Sequence, residues 1–231
     1  MEEIPIVIQN LRRRFRSIIH AFCEAPILSV FLIALAIIPA LLVHPLLALP
    51  AALLFFFVLY FFRDPYRITP ENNNYLYSSA DGKVVRIGEV ESGFFPGKKV
   101  QRVLVFMSPL NVHRNRAPIL ARVRELQYIK GQFLPAFREN MELVNERASV
   151  VFEHTSGKKT DVVVVTQIAG ILARRIVCRA ILEKEYRQGE EFGLIRFGSA
   201  NEILFGCDWQ ILVKEGDRVQ AGLTVIARRK T

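Results

Sequence analysis

The sequence predicts an α+β protein: a β-rich, sandwich-barrel-like domain preceded by an N-terminal hydrophobic helical hairpin of the kind that enters membranes. Three observations predict it. From Ile27 to Phe62 there is no Asp, Glu, Lys or Arg in 36 residues. After Phe62 helical periodicity is weak, and short β-branched runs separated by Gly, Pro, Asn and Asp take over. The chain has 231 residues, 51% of them hydrophobic and 23% charged. That balance excludes a disordered chain and suits one sizeable domain with an appendage.

The apolar run is nearly twice the length of about 20 residues that one membrane crossing needs. Pro39, Pro45 and Pro50 interrupt it, with His44 beside the middle proline. Two short helices, Ile27–Val43 and Leu46–Phe62, are therefore expected. A secretory signal would be shorter and would end in a small-residue cleavage site. Arg12, Arg13, Arg14 and Arg16 precede the run, and Arg63 follows it. The positive-inside rule puts both flanks in the cytoplasm, which gives a hairpin, either spanning or dipping into one leaflet. The alternative is a buried core hairpin of a soluble protein. The expected division is residues 1–62 as basic segment and hairpin at the cell membrane, and residues 63–231 as a cytoplasmic domain.

Four of the 31 basic and three of the 22 acidic residues lie in 1–62, which leaves 27 and 19, a net charge of +8, on residues 63–231. A basic domain tethered to a bilayer points to anionic lipid. Nucleic acid is the usual rival, but no zinc-finger spacing, basic heptad or RNP-like motif supports it. Cys23, Cys178 and Cys207 are far apart and odd in number, and His20, His44, His113 and His154 are scattered. Neither a disulfide framework nor a metal site follows.

Strands are expected at Lys83–Ile87, Val100–Met107, Ser149–Glu153, Asp161–Ile168, Leu194–Phe197, Gln210–Val213 and Thr224–Ala227. Phe133–Asn145 reads as a short helix; Ile171–Leu182 fits strand and helix equally. Two segments share a turn-then-strand pattern, Ala80-Asp81-Gly82-Lys83-Val84 and Glu215-Gly216-Asp217-Arg218-Val219. Such half-motifs occur in lipoyl-like and biotinyl-like barrels, although no lysine sits at a suitable hairpin tip for a carrier.

His113 stands in the most polar setting, Ser108-Pro109-Leu110-Asn111-Val112-His113-Arg114-Asn115-Arg116, after an expected strand. Loops on a rigid strand commonly carry sites. Asp81 is either a plain Asp-Gly turn or a carboxylate that orients His113. Ser199, in Gly198-Ser199, is either a turn residue or a nucleophile. Asp81, His113 and Ser199 supply the residue types of a Ser-His-Asp arrangement. No Gly-x-Ser-x-Gly elbow is present, which disfavours an ordinary α/β-hydrolase.

Taken together, a set of motifs resembles the phosphatidylserine decarboxylase proenzyme family, in its short bacterial and archaeal branch. The set runs through Phe61-Phe62-Arg63-Asp64-Pro65, Ala80-Asp81-Gly82, Phe106-Met107-Ser108-Pro109-Leu110-Asn111-Val112-His113 and Asn115-Arg116-Ala117-Pro118. It continues through Tyr128, Gly131, Asn145-Glu146-Arg147 and Gln167-Ile168-Ala169-Gly170 to Ala173-Arg174-Arg175-Ile176-Val177-Cys178 and Gly193-Leu194-Ile195-Arg196-Phe197-Gly198-Ser199. Each motif is weak alone; the combination is specific and covers the chain from about Phe61 onward. Arg116 replaces a second histidine of the longer branch. After Gly-Ser the short branch commonly continues with Arg, whereas here Ala200-Asn201-Glu202 follows. That departure bears on headgroup or lipid-backbone contact and leaves archaetidylserine conceivable as substrate.

The resemblance implies that the catalytic domain cuts itself between Gly198 and Ser199, into a β chain of residues 1–198 and an α chain of residues 199–231. His113, oriented by Asp81, would take the Ser199 proton, and Ser199 would become a pyruvoyl group, the cofactor. That group would form a Schiff base with the serine headgroup of phosphatidylserine and release phosphatidylethanolamine after decarboxylation. Arg114 and Arg116 are candidates for the lipid phosphate; solvated surface charge is the alternative. The implied partners are an aminophospholipid in the bilayer, the two chains of one precursor and further protomers. The competing class is a membrane-anchored, non-catalytic β-barrel that binds anionic lipid, and a serine hydrolase is a third.

Overall fold

The computed structural model describes residues 17–42, 44–134, 141–156, 159–170, 175–196 and 199–230. The chain divides into two compact units, Met1–Tyr66 and Arg67–Thr231.

The first unit is helical among its described residues. Helix α1 (Ser17–Glu24) is followed by α2 (Pro26–Leu42), a 3-10 turn (Pro45–Leu47) and α3 (Ala48–Phe61). Prolines set the breaks. Pro26, Pro45 and Pro50 all lie in first turns, where a missing N–H leaves no bond unmade. His44 caps the 3-10 turn, its Nδ1 accepting from the Leu46 N–H at 3.2 Å. The two expected helices thus form with ends shifted by one or two residues; Val43 lies outside the described residues. Apolar side chains stay exposed along both, including Ile27 at 85% and Leu41 at 79%. At 1.5 Å per residue α2 spans about 25 Å, less than a hydrocarbon core of about 30 Å. No single helix among the described residues is long and apolar enough to cross a membrane. The pair Ser17–Glu24 and Pro26–Ile38 passes that test together but is bent by 94°. Arg12, Arg13, Arg14 and Arg16 lie outside the described residues.

The second unit is mostly β. Its strands are β1 (Tyr75–Tyr77), β2 (Gly82–Glu91), β3 (Lys99–Met107), β4 (Arg114–Arg116), β5 (Ala121–Ile129), β6 (Arg147–Ser156) and β7 (Lys159–Ala169). They continue with β8 (Arg175–Cys178), β9 (Glu185–Tyr186), β10 (Glu191–Arg196), β11 (Ser199–Phe205), β12 (Trp209–Ile211), β13 (Arg218–Val219) and β14 (Val225–Arg229). A short helix, α4 (Met141–Val144), precedes β6. Eight strands form one curled antiparallel sheet, a half-barrel, in the order β13-β2-β3-β11-β7-β6-β5-β9. Two three-stranded sheets, β1-β14-β12 and β4-β10-β8, complete the unit. The main core joins all three sheets: Val105, Phe152, Val165 and Ile203 from the large one, Leu76, Trp209 and Ile226 from the second, Phe192 and Ile195 from the third.

The expected strands are present, most of them longer than the β-branched runs that signal them. Phe197 lies outside the described residues. Strand β8 resolves the ambiguity at Ile171–Leu182 in favour of strand for Arg175–Cys178; residues 171–174 lie outside. The helix expected at Phe133–Asn145 is seen only as the single turn α4, with residues 135–140 outside the description. The two half-motifs pair with each other: Arg218 stands opposite Lys83 and Val219 opposite Gly82. Gly82 is required there, since a Cβ would collide with the Phe106 carbonyl on β3.

Candidate active site

Strand β11 lies inside the large sheet, paired on one side with β3 and on the other with β7. Its first residue, Ser199, faces Met107 and Ala169 in those two ladders and is fully buried. Gly198, the other half of the expected cleavage pair, lies outside the described residues. The Ser199 hydroxyl donates to Met107 Sδ at 3.4 Å. A thioether is a weak acceptor, so the hydroxyl is lightly held.

A buried polar cluster adjoins that contact. Asn115 Nδ2 lies 4.0 Å from the same Met107 sulfur and 3.4 Å from the Ser79 carbonyl. Gln167 Nε2 donates to Asn115 Oδ1 at 2.8 Å, and the Ser79 hydroxyl donates to Asn201 Oδ1. Ser79, Asn115, Gln167 and Asn201 are all fully buried. Buried amides of this kind are normally fully hydrogen-bonded. Here Gln167 Oε1 and Asn201 Nδ2 have no partner among the described residues. Sequence reasoning assigns these four residues no role. Asn115 and Gln167 stand within the motifs of the resemblance and Asn201 at its departure, but nothing in the sequence says that they meet.

His113 is placed by a turn that its neighbours build. Asn111 Oδ1 accepts from the Ser108 N–H at 2.9 Å and from the Ser108 hydroxyl at 2.8 Å, which closes the loop after β3. The His113 carbonyl accepts from the Ile195 N–H at 3.1 Å, which ties the histidine to β10, four residues before Ser199. His113 is 2% exposed, and its Nδ1 lies 3.0 Å from the Asn111 carbonyl oxygen. A carbonyl only accepts, so this bond puts the proton on Nδ1 and leaves Nε2 as the basic nitrogen.

Asp81 is engaged elsewhere. Arg67 grips it with both arms, Nη1 to Oδ1 at 2.5 Å and Nη2 to Oδ2 at 2.7 Å. The Ala221 N–H donates to Oδ1 at 2.8 Å, and Arg67 Nη1 also donates to the Ala221 carbonyl at 2.8 Å. The carboxylate is thus held by Arg67 and Ala221, while the His113 ring meets the Asn111 carbonyl. Arg67 has no place in the sequence reading, because a lone arginine between Tyr66 and Ile68 carries no signal.

Arg114 is 2% exposed and donates to Glu191 Oε1 at 2.7 Å, an acceptor it shares with Arg179 at 3.3 Å. It is not a solvated surface charge. Arg116 is partly buried and donates to the Gly189 carbonyl at 2.9 Å. The departure at Ala200-Asn201-Glu202 divides between two faces. Asn201 shares the face of Ser199, whereas Ala200 and Glu202 turn to the opposite one, by the alternation of a strand. Among the described residues no cluster of His, Cys, Asp and Glu suits a metal ion.

A profile of the phosphatidylserine decarboxylase family matches residues 54–227. Similar curated proteins are named phosphatidylserine decarboxylase proenzyme. One from Symbiobacterium thermophilum is 42% identical over 197 residues, covering 85% of this chain and 90% of that protein. One from Prosthecochloris aestuarii is 42% identical, covering 87% and 89%. One from the Wolbachia of Brugia malayi is 44% identical, covering 73% and 74%. With a profile match that spans most of the second unit and these identities along most of its length, the chain belongs to the phosphatidylserine decarboxylase family.

Proposed function

We propose that the chain is a proenzyme that cuts itself before Ser199 and then decarboxylates phosphatidylserine to phosphatidylethanolamine. The observation that carries this reading is Ser199 itself: a buried serine at the head of an interior strand, its hydroxyl donated to a thioether, in a chain of this family.

The residues fit self-processing. His113 Nε2 is the base that takes the Ser199 hydroxyl proton. The oxygen attacks the Gly198 carbonyl; the new C–O bond replaces the C–N bond, and the freed amine is reprotonated. Loss of the Ser199 α-proton then breaks the Cβ–O bond, and the Gly198 carboxylate leaves with the electron pair. Water converts the remaining enamine to a ketone and releases ammonia. The weak Met107 contact leaves the hydroxyl free to move, and glycine at 198 offers an unshielded carbonyl.

A pyruvoyl group formed at position 199 supplies an electron sink for the carbanion left by carbon dioxide. The buried cluster suits a small carbonyl group at that position, because Asn201, two residues on along the same face of β11, keeps Nδ2 as an unused donor among the described residues. Met107 and Ala169 flank it, and His113 is the group that returns the proton to the product carbon.

The exposed apolar helices of residues 27–62 support attachment to the cell membrane, with the second unit in the cytoplasm. A lipid substrate keeps its acyl chains in the bilayer, so attachment confines enzyme and substrate to one surface.

The test is processing and activity together. Ser199→Ala should remain one chain with no decarboxylase activity, and His113→Ala should block cutting. A Ser199→Ala protein that is cut and active refutes the assignment.

A further inference from the structure

On the sheet face opposite Ser199 lies a cavity of about 710 Å3, within the usual range of small-molecule sites. The alternation of β11 separates the two places. Ile203 and Phe205 enter the main core, while Glu202 and Leu204 line the cavity. Arginines reach it from four strands, Arg86 on β2, Arg102 on β3, Arg147 on β6 and the exposed Arg124 on β5, and Glu142 enters from α4.

Arg86 and Arg102 both donate to Glu142 Oε1, at 2.7 and 3.1 Å. Arg102 lies 3.9 Å from Glu202 Oε1. Arg147 donates to the carbonyls of Leu143 and Asn145, at 2.8 and 3.2 Å, and so brings its charge without a carboxylate partner among the described residues. Two buried atoms are left over. Glu142, with a side chain 6% exposed, has Oε2 without a partner among the described residues, and so does Arg102 Nε. Leaving such atoms unsatisfied is costly.

Among the inner groups, Arg86, Arg102 and Arg147 against Glu142 and Glu202, the charges do not balance. Burial, reinforced by the charge of Glu142, lifts the Glu202 carboxyl to about 7 against the opposing pull of Arg102, Arg147 and Arg86. These four groups are the charges that face Glu202 from β2, β3, β6 and α4; β7 places the uncharged Thr166 opposite it. At the rim stand Glu91, Glu125 and Arg124, the last paired with Glu153 at 3.1 Å. Three inner guanidinium groups therefore face two carboxyl groups, of which Glu202 is partly protonated near neutral pH. Planar guanidinium forks match phosphate oxygens. The unsatisfied Glu142 oxygen asks for a donor on the same ligand.

We propose that this cavity is a second binding site, separate from Ser199, for a phosphate ester that also carries a hydroxyl or ammonium group. The phosphate meets Arg86, Arg102 and Arg147, and the donor meets Glu142 Oε2. The source is either a soluble ester or a phospholipid headgroup, whose apolar part Phe94 and Leu143 would flank. Binding an anion favours protonated Glu202, so binding takes up a proton and weakens as pH rises above about 7. The inference does not depend on the reaction read at Ser199.

The test is calorimetric titration of the full chain in detergent with glycerol 3-phosphate at pH 7 and pH 8.5. The wild type should bind at pH 7 and more weakly at pH 8.5. Glu202→Gln should bind with that pH dependence flattened. Arg86→Gln should weaken binding by about tenfold, the loss of one charge-assisted contact. His113→Ala should bind like the wild type. Dihexanoyl phosphatidylglycerol below its micelle concentration distinguishes the sources: tighter binding than the soluble ester assigns a lipid headgroup, weaker binding a soluble ester. Absence of binding to both ligands overturns the proposal. So does equal binding by Arg86→Gln, or loss of binding in His113→Ala, which would move the ligand to the other face.

Discussion

Arg67 and Asp81 form a bidentate pair with side chains only 7% and 9% exposed. Removing one ion of such a pair strands the other charge in a dry place. Arg67→Met should therefore lower the unfolding free energy by about 3–5 kcal/mol. Arg67→Lys should cost less, since an ammonium keeps the charge but loses the second arm. Denaturant unfolding measures both, and an unshifted midpoint for Arg67→Met contradicts the account. Glu202 gives a second test. Its carboxyl is lifted from 4.5 to about 7 in the fold, so the folded state binds the proton more tightly than the unfolded state. Stability then falls as pH rises from about 4.5 to 7, and the full penalty of about 3 kcal/mol stands above that range. Glu202→Gln should remove this slope; unfolding curves at pH 5 and pH 8 show whether it does. The residues that the sequence marks, His113 and Ser199, both prove buried, one in the turn after β3 and one at the head of β11. Their supports were hidden. Asn111 holds the His113 ring through a main-chain carbonyl, which no sequence displays, and Arg67 reaches Asp81 through a fold-level contact.

Strand β11 shows what element reading misses. Ser199-Ala200-Asn201-Glu202 has no β-branched residue and carries no strand signal, yet it forms a strand because β3 and β7 satisfy its backbone on both sides. Strand β5 is hidden for another reason: its charged residues Arg122, Arg124 and Glu125 lie on an exposed edge of the pattern. Runs such as Asp161–Ile168 are plain because they are apolar on both faces. The paired half-motifs of β2 and β13 were visible as a likeness, but their partnership was not. It predicts that Gly82→Ala, which drives a Cβ into the Phe106 carbonyl, costs about 1–3 kcal/mol. A thermal melt reads this, and a variant as stable as wild type refutes the close approach of β2 to β3.

At the scale of the molecule, the sequence divides clearly into an apolar N-terminal part and a β-rich remainder, because a charge-free run of 36 residues is visible without a fold. The second unit holds its own main core, from Leu76 to Ala227. A chain that begins at Arg67 should therefore fold and retain self-cleavage, while its sedimentation with phospholipid vesicles falls. Unchanged vesicle binding would place the attachment in the β-rich unit. The central claim, self-processing at Ser199, is tested most directly by the intact mass of the purified full chain under denaturing conditions. The account predicts two chains, residues 1–198 and a smaller one beginning at position 199, the latter lighter than its serine-terminated form by one ammonia. A single chain of unaltered mass would contradict it.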